Sequence, residues 1–158
     1  MSEVHLKYAP RELFEQILEY AVIPTFDLIV WSNELGVLLV RRKIAPYKHT
    51  WALPGLRMMK PENIDDTLSR IAQNEIGIVP NLKSKEFIGQ YVGKFNSENQ
   101  RQDLSTCYAV KYKFSTVRIN KDHFSNYCFV KDAGQVPNNI GAMYAYYLKL
   151  FFNNTIIR

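Results

Sequence analysis

The sequence is poor in the side chains that build disulfide frameworks and clustered metal sites. It has two cysteines and three histidines among 158 residues. Cys107 and Cys128 fall in two separate strand-like segments, without the short spacing of metal ligands. Both are interpreted as small core residues, so no cysteine-based metal site is expected.

Long apolar runs are also missing from the sequence. No segment approaches the length that spans a bilayer, and the first twenty residues contain acidic and basic side chains. We therefore expect no secretion signal, no membrane interaction and a cytoplasmic location. No internal repeat interrupts the chain. With 47% hydrophobic residues, residues 1–158 are expected to form one domain with a substantial core.

The excess of positive charge is small. A formal net charge of +5 suits anionic ligands, but the lysines are spread along the chain, so nucleic acid is not an expected partner. The phosphates of a nucleotide are sufficient to account for this charge. The aromatic residues mostly alternate along 108–114 or recur with helical spacing near the end of the chain, which is typical of core packing.

Hydrophobic periodicity predicts three helices and five strands. The expected helices are 10–20, 63–76 and 138–152, and the expected strands are 25–31, 37–42, 86–95, 104–114 and 126–130. The polar segment 96–103 is expected to be a mobile hairpin tip that covers a site or reaches a second subunit. This order of elements predicts a mixed α+β chain.

The helix expected at 63–76 carries a carboxylate in an unusual place. On a helical wheel, Glu75 falls within the apolar stripe of Leu68 and Ile71 rather than on the solvent face. It also lies near the helix C-terminus, where negative charge is unfavourable, just before the expected stop at Gly77. A desolvated carboxylate here is expected to be protonated, paired or bound to a metal such as Mg²⁺. The alternative is a frayed helix end with Glu75 in water.

The spacing of glycines, arginine and acids around this helix resembles the Nudix box of hydrolases that act on nucleoside-diphosphate-linked compounds. The matching residues are Gly55, Glu62, Arg70, Glu75 and Gly77. Six residues, rather than the usual five, separate the first glycine from the first acid. Ile71 and Asn74 stand where glutamates are usual.

These departures are similar to those of one branch, the GDP-mannose mannosyl hydrolases. Arg57 matches an arginine of that branch, whereas Leu56 departs from its paired glycines. The resemblance extends over most of the chain. It implies a Nudix-like mixed β-sheet sandwiched between α-helices, in a homodimer.

Three further positions acquire possible roles from this resemblance. Asp27, inside an otherwise apolar strand, matches an aspartate beside the sugar, and Arg42 matches an arginine that holds the diphosphate. The alternatives are a buried Asp27 satisfied by backbone donors or an arginine, and a solvated basic edge at Arg42. Arg70 is either catalytic or the partner of Asp66 in an ordinary helix pair.

The segment around His123 resembles the loop that supplies the general base. In the family a histidine activates water and is preceded by a metal-binding amide, whereas here Asp122 precedes His123 and one residue is inserted. A neutral imidazole can take a proton from water at physiological pH, and a carboxylate is a hard ligand that suits Mg²⁺. The alternative is an ordinary surface-loop histidine.

The resemblance implies hydrolysis of a nucleoside-diphosphate sugar, of the GDP-mannose or GDP-glucose type, with Mg²⁺ or alternatively Mn²⁺. The expected metal ligands are Glu75, the Gly55 carbonyl and Asp122. Arg42 and Arg57 would neutralise the diphosphate leaving group, and His123 would deprotonate the water that attacks the anomeric carbon. Asp27 would hold the sugar ring, and the products would be a nucleoside diphosphate and a free, inverted sugar.

Two other functions are compatible with the sequence. A conventional Nudix pyrophosphatase would cut at phosphorus and would need further metal ligands, such as Asp122 or Glu62. A catalytically silent Nudix domain would bind a nucleotide sugar or a protein partner, which the changes at Leu56, Ile71 and Asn74 favour. Retention of the candidate base and arginines favours an enzyme. The sequence identifies neither the nucleobase nor the sugar.

Overall fold

The computed structural model describes residues 5–154, so the expectation of one domain over 1–158 extends beyond the described part. The helices are α1 (Arg11–Tyr20), α2 (Ile64–Ile76) and α3 (Ala142–Asn153). The strands are β1 (Ile23–Ser32), β2 (Gly36–Arg42), β3 (Trp51–Ala52), β4 (Gly55–Arg57), β5 (Glu86–Lys94), β6 (Gln102–Lys111) and β7 (Phe124–Val130). Short 3-10 helices occur at Leu82–Ser84 and Ala133–Gln135. Over these residues, no helix combines the length and apolarity that crossing a membrane requires.

One mixed sheet contains all seven strands. Its main path runs β3-β2-β1-β6-β5, while β4 pairs with β1 and β7 pairs with β2. β1 and β6 are parallel, and the other pairs are antiparallel. Consecutive residues of β1, Leu28, Ile29 and Val30, are fully buried. Such a run is typical of a strand covered on both faces.

The predicted elements correspond to observed ones, with two strands missed. β3 and β4 have two and three residues, which is too short for an alternating pattern to indicate them. β6 begins at residue 102 rather than 104, and α3 begins at 142 rather than 138. The start of α3 is delayed because Ile140 forms an isolated bridge with Trp51, and the Gly141 N–H donates to the Trp51 carbonyl.

Helices pack on the sheet and close its core, so the predicted α+β sandwich is confirmed. α2 packs against β1 and β4, and α3 packs against β5. The apolar stripe expected in the last helix is buried through Tyr147, Leu148 and Phe151. Cys107 is fully buried as predicted, whereas Cys128 is half-buried on β7.

The ends of α2 are defined by local side chains. Asn63 and Asp66 form a reciprocal capping box at its start, in which each side chain accepts a hydrogen bond from the backbone N–H of the other. Gly77 ends the helix with φ at +67°, a left-handed conformation that favours glycine. These signals fix the rotation of α2 and direct Glu75 to the protein interior.

Candidate active site

Two adjoining cavities form a cleft that brings most of the predicted site residues together. The strand cavity, about 260 Å³, is lined by residues that include Thr25, Asp27, Arg42, Gly55, Arg101 and Asp103. The helix cavity, about 290 Å³, is lined by residues that include Arg70, Asn74, Glu75 and Asn120. Leu56, Arg57 and His123 line both cavities. Of the predicted site residues, Asp122 is the one that lines neither.

Glu75 is a buried carboxylate with a specific partner, so the frayed helix end is the wrong alternative. Its residue exposure is 1%. His123 Nδ1 lies 2.8 Å from Oε1 and 3.0 Å from Oε2, and the Asn120 amide nitrogen lies 3.3 Å from Oε1. Burial raises the pKa of Glu75, while the contacts with His123 and Asn120 oppose that rise.

The loop before β7 presents an amide, rather than Asp122, to Glu75. The Asn120 backbone N–H donates to the Glu75 carbonyl oxygen at 2.8 Å, which ties this loop to the end of α2. The Asp122 side chain is exposed, and its backbone N–H donates to Asn120 Oδ1. Sequence reasoning missed Asn120 because the family pattern directs attention to the residue immediately before His123. The sequence signal that could have identified Asn120 is an amide side chain three residues before His123.

Substitutions in this loop test which of the two residues, Asn120 or Asp122, supports the metal site. We expect Asn120→Ala to weaken Mg²⁺ binding about tenfold or more, because it removes a polar contact from the buried carboxylate. Asp122→Ala should leave Mg²⁺ affinity within about twofold, since that side chain points away from the cleft. Isothermal titration of each variant with Mg²⁺ is the measurement. The reverse order of effects would restore Asp122 as the ligand.

Asp27 is buried at the floor of the strand cavity, with an exposure of 3%. The Ser105 hydroxyl donates to its Oδ2 at 2.5 Å, and Ser105 in turn accepts from the Tyr147 hydroxyl at 2.8 Å. Burial raises the pKa of Asp27 from 3.8 to about 7, although the Ser105 hydrogen bond and Arg42 lower it. The partner of Asp27 is therefore a hydroxyl, instead of the backbone donors or arginine that sequence reasoning considered.

Gly55 and Asp27 approach each other too closely for any other residue at position 55. They are directly paired between β4 and β1. A Cβ on Gly55 would lie 2.2 Å from Asp27 Oδ1 and 2.7 Å from the Phe26 carbonyl oxygen. The first glycine of the motif is thus required because the Asp27 carboxylate occupies the space of a side chain.

Two guanidinium groups lie at the cleft, and different contacts hold each of them in place. Arg42 Nε donates to the Pro46 carbonyl at 2.6 Å, so Arg42 is partly buried rather than a solvated edge. Arg57 lies with its Cζ 3.9 Å from the centre of the Phe14 ring of α1, a cation–π contact. Burial, with a smaller effect from Arg101, lowers the pKa of Arg57. Both guanidinium groups can still present N–H donors to an anion.

Arg70 forms a two-pronged ion pair with Glu62, and the alternative pair with Asp66 is wrong. Its Nε lies 2.5 Å from Glu62 Oε1 and its second terminal nitrogen lies 2.9 Å from Oε2. Glu62 also accepts from the Met59 N–H and the Thr67 hydroxyl. Burial raises the pKa of Glu62, but these hydrogen bonds outweigh it and the pKa is lowered. Both carboxylate oxygens are therefore already engaged within the protein.

The oxygen atoms at the cleft suit one magnesium ion. Within residues 5–154, no three His, Cys, Asp or Glu side chains gather in a metal-binding cluster. Glu75 supplies one buried carboxylate beside the Asn120 amide, and Gly55 lines the adjoining strand cavity. One carboxylate with a backbone carbonyl oxygen fits Mg²⁺, which keeps waters and substrate phosphates in its shell. It does not fit a site that gathers several ions.

Comparison with known proteins relates the chain to one family. The sequence model of the NUDIX domain matches residues 22–141. Among curated proteins, the low-salt glycan biosynthesis protein Agl8 of Haloferax volcanii is 32% identical over 119 residues, which cover 72% of this chain and 74% of Agl8.

Solved structures share the same fold at low sequence identity. A MutT NUDIX hydrolase from Burkholderia pseudomallei superposes with a TM-score of 0.71 and 16% identity, over 81% of this chain and 96% of its own. The NUDIX domain of Shewanella oneidensis NrtR, solved with ADP ribose, gives a TM-score of 0.68 and 18% identity over 92% of each chain.

Proposed function

The chain belongs to the Nudix domain family, and on that premise we propose that it hydrolyses nucleoside-diphosphate sugars at the glycosidic C–O bond, with one Mg²⁺. The products are a nucleoside diphosphate and a free sugar of inverted configuration. GDP-mannose and GDP-glucose are the first candidate substrates. Mn²⁺ is the alternative ion, and a homodimer is the proposed assembly.

The observation that carries this proposal is the difference between the two box carboxylates. Glu75 is buried against His123 and lines the cleft. Glu62 lines neither cavity, and its two oxygens are bound to the permanently charged Arg70. A pyrophosphatase that gathers several ions needs more carboxylates than Glu75, and neither Glu62 nor the exposed Asp122 is positioned to supply one. The arrangement supports chemistry that needs a single ion.

The contact with Glu75 prepares His123 to accept a proton. An ionised carboxylate only accepts hydrogen bonds, so Nδ1 of His123 must donate to Glu75 and the proton of the neutral ring resides there. Nε2 is then left with a free lone pair. His123 also lines the strand cavity, where Asp27 lies. In this tautomer Nε2 takes the proton of the attacking water.

The remaining charged groups divide between the two parts of the substrate. Arg42 and Arg57 donate to the diphosphate and offset the charge that it gains as the bond to the sugar breaks. Asp27 offsets the positive charge that develops at the anomeric carbon. Glu75 and the Gly55 carbonyl would hold Mg²⁺, with the Asn120 amide orienting the Glu75 carboxylate, and the ion would supply charge stabilisation of the leaving diphosphate.

Two relatives support a substrate that contains a sugar. Agl8 is described as a glycan biosynthesis protein. The NrtR domain was solved with ADP ribose, which is chemically a nucleoside diphosphate joined to a sugar. Neither relative indicates which base or sugar this chain prefers.

Phosphorus NMR tests the proposal through the bond that is broken. The purified protein is incubated with Mg²⁺ and a panel of nucleoside-diphosphate sugars, beginning with GDP-mannose and GDP-glucose. We expect signals of a nucleoside diphosphate and no sugar phosphate. A nucleoside monophosphate together with a sugar phosphate would instead establish the pyrophosphatase alternative. Absence of any product across the panel would favour a silent binding domain.

The pKa of Asp27 predicts opposite changes in stability and activity for Asp27→Asn. Because the folded protein holds the Asp27 proton more tightly than the unfolded chain, the Asp27 contribution to stability falls as pH rises from 3.8 to about 7. Asp27→Asn should therefore raise the free energy of unfolding by about 1–3 kcal/mol at pH 8 and change it little below pH 4. Thermal unfolding across this pH range is the measurement.

Turnover should respond in the other direction. Wild-type kcat/KM should rise with pH through about 7 as Asp27 ionises. Asp27→Asn should be slow at every pH. A variant that retained wild-type activity would remove Asp27 from the mechanism.

A further inference from the structure

Thr25 holds a buried hydroxyl that the fold leaves without a partner. It lies on β1 with an exposure of 9% and lines the strand cavity. Among the atoms of residues 5–154, none forms a hydrogen bond with its Oγ1. Buried hydroxyls are almost always bonded, so an unbonded one on a residue that lines a cavity points to a ligand group as its partner.

Asp103 is a second polar group in the same cavity and is only partly satisfied. Its exposure is 5%, and its Oδ1 accepts from Arg101 Nε at 2.7 Å. Within the described residues, no hydrogen bond reaches its Oδ2. Arg101 also contacts Glu98 at 3.4 Å through one terminal nitrogen, which leaves its other terminal nitrogen free of protein hydrogen bonds over residues 5–154.

The pairing of β1 with β6 brings these groups to one side of the sheet. In this parallel ladder Ile23 faces Asp103 and Thr25 faces Ser105. Alternate residues of a strand share a face, so Thr25 and Asp27 lie about 7 Å apart along β1 on the face that also carries Asp103. The Ser105 bond to Asp27 confirms that this face is the cavity side.

Aromatic rings form another wall of the strand cavity. Tyr47 meets Phe95 edge to face at 5.5 Å and Tyr144 at 5.3 Å between ring centres. Phe95 and Arg101 belong to the tip between β5 and β6, so the segment expected to cover a site does line one. Apolar rings opposite a few fixed polar groups are typical of a pocket for a small polar molecule.

We infer that Thr25, Asp103 and Arg101 form a subsite that binds hydroxyl groups of the glycosyl ring in the nucleoside-diphosphate sugar. A sugar hydroxyl both donates and accepts, and the subsite offers a carboxylate acceptor, a guanidinium donor and a threonine hydroxyl. The inference rests on the proposed function for the identity of the ligand. It assigns sugar recognition to residues beyond Asp27.

Charge favours the glycosyl ring over the phosphates in this subsite. Asp103 and Glu98 neutralise Arg101, and Asp27 adds a further carboxyl group, so a phosphate meets no uncompensated cation in this subsite. Arg42 and Arg57, which hold the diphosphate, also line the strand cavity, and Arg57 and His123 continue into the helix cavity beside Glu75, so the diphosphate lies across the junction of the two cavities. The ribose of the nucleoside also carries hydroxyl groups. Because GDP contains the ribose but no glycosyl ring, comparison of GDP-mannose with GDP distinguishes the two.

Calorimetric titrations of GDP-mannose and of GDP test the subsite. The titrations use the full-length protein in the presence of Mg²⁺. Both samples carry His123→Gln, which prevents turnover, and one of them also carries Thr25→Val. We expect Thr25→Val to weaken GDP-mannose binding about three- to tenfold, which is the range for one lost hydrogen bond, and to leave GDP binding unchanged. Thr106→Val is the matched control. Thr106 follows Ser105 on β6, so its side chain lies on the opposite face of the sheet, where it accepts a hydrogen bond from Gln90.

Stability separates a recognition role from a structural one. Thr25→Val should not lower the unfolding temperature, because it removes a hydroxyl that has no partner in the protein. Asp103→Asn is a second variant, for which we expect a similar loss of GDP-mannose affinity without a loss of GDP affinity.

Three results would overturn the inference. One is equal weakening of GDP-mannose and GDP, which would assign the hydroxyl to the ribose. Another is unchanged GDP-mannose binding in both Thr25→Val and Asp103→Asn. The third is that the protein with Thr25 intact binds GDP-mannose no more tightly than GDP. If binding depends on the sugar and on Thr25 but phosphorus NMR detects no turnover, the proposed hydrolysis is wrong and the subsite stands.

Discussion

Glu75→Gln is expected to lower kcat/KM by about 10³-fold while leaving the protein folded. The substitution keeps the shape of the side chain and an oxygen that can accept from His123 Nδ1, but it removes the negative charge that holds Mg²⁺ and orients the base. Initial rates with a nucleoside-diphosphate sugar, at saturating Mg²⁺, measure the effect.

The stability of this variant identifies the cause of the loss. Burial raises the pKa of Glu75, so its ionised form contributes less to stability as pH rises above 4.5. Without metal, Glu75→Gln should therefore unfold at the same temperature as the wild type or higher at neutral pH. A lower unfolding temperature would indicate misfolding, and retained activity would exclude Glu75 as the metal-binding group. Nucleotide-sugar binding that persists without any wild-type turnover would identify a sensor.

Arg70→Met is expected to lower the free energy of unfolding by about 3–5 kcal/mol. The Arg70 and Glu62 side chains are 13% and 3% exposed, so loss of the guanidinium leaves a buried carboxylate unpaired. The hydrogen bond from Arg70 to the Arg57 carbonyl is lost as well. For a chain of this size the unfolding temperature should fall by roughly 6–20 °C, measured by calorimetry at pH 7.

An exposed ion pair provides the matched control. Arg11 pairs with Glu15 on α1 at 3.1 Å, with an Arg11 side chain that is 91% exposed. Arg11→Met should change stability by less than about 0.5 kcal/mol. Because the pKa of Glu62 is lowered, the difference between wild type and Arg70→Met should shrink as pH falls below 4.5 through that pKa. Equal effects of the two substitutions would show that the Glu62–Arg70 pair contributes no more than a surface pair.

The contacts of Glu62 also assign a role to the first acid of the motif. Its bonds to Arg70, the Met59 N–H and Thr67 connect the segment after β4 to the first two turns of α2. Gly55 and Arg57 lie on β4, directly before this segment. The resemblance identified the first acid and the arginine of the motif, and their structural role is to hold together the segment that carries the other site residues.

The sequence by itself determined what depends on local order along the chain. The apolar stripe of α2, its capping residues and Gly77 specify a helix whose rotation buries Glu75, because each signal acts within a turn or two of its own position. The apolar runs at 25–31 and 37–42 indicated β1 and β2 for the same reason. The motif spacing identified the family without any distance being known.

Only the tertiary structure decided which distant residues meet. Ser105 and Asp27 are 78 positions apart, and Glu75 and Asn120 are 45 apart. The parallel pairing of β1 with β6 sets Thr25 beside Ser105 and on the same face as Asp103, and the loop before β7 turns Asn120 inward and Asp122 outward. No local sequence pattern in β1 or in β6 indicates the register in which the two strands pair. The packing that excludes water from the core selects that register, and with it the polar groups that line the cleft.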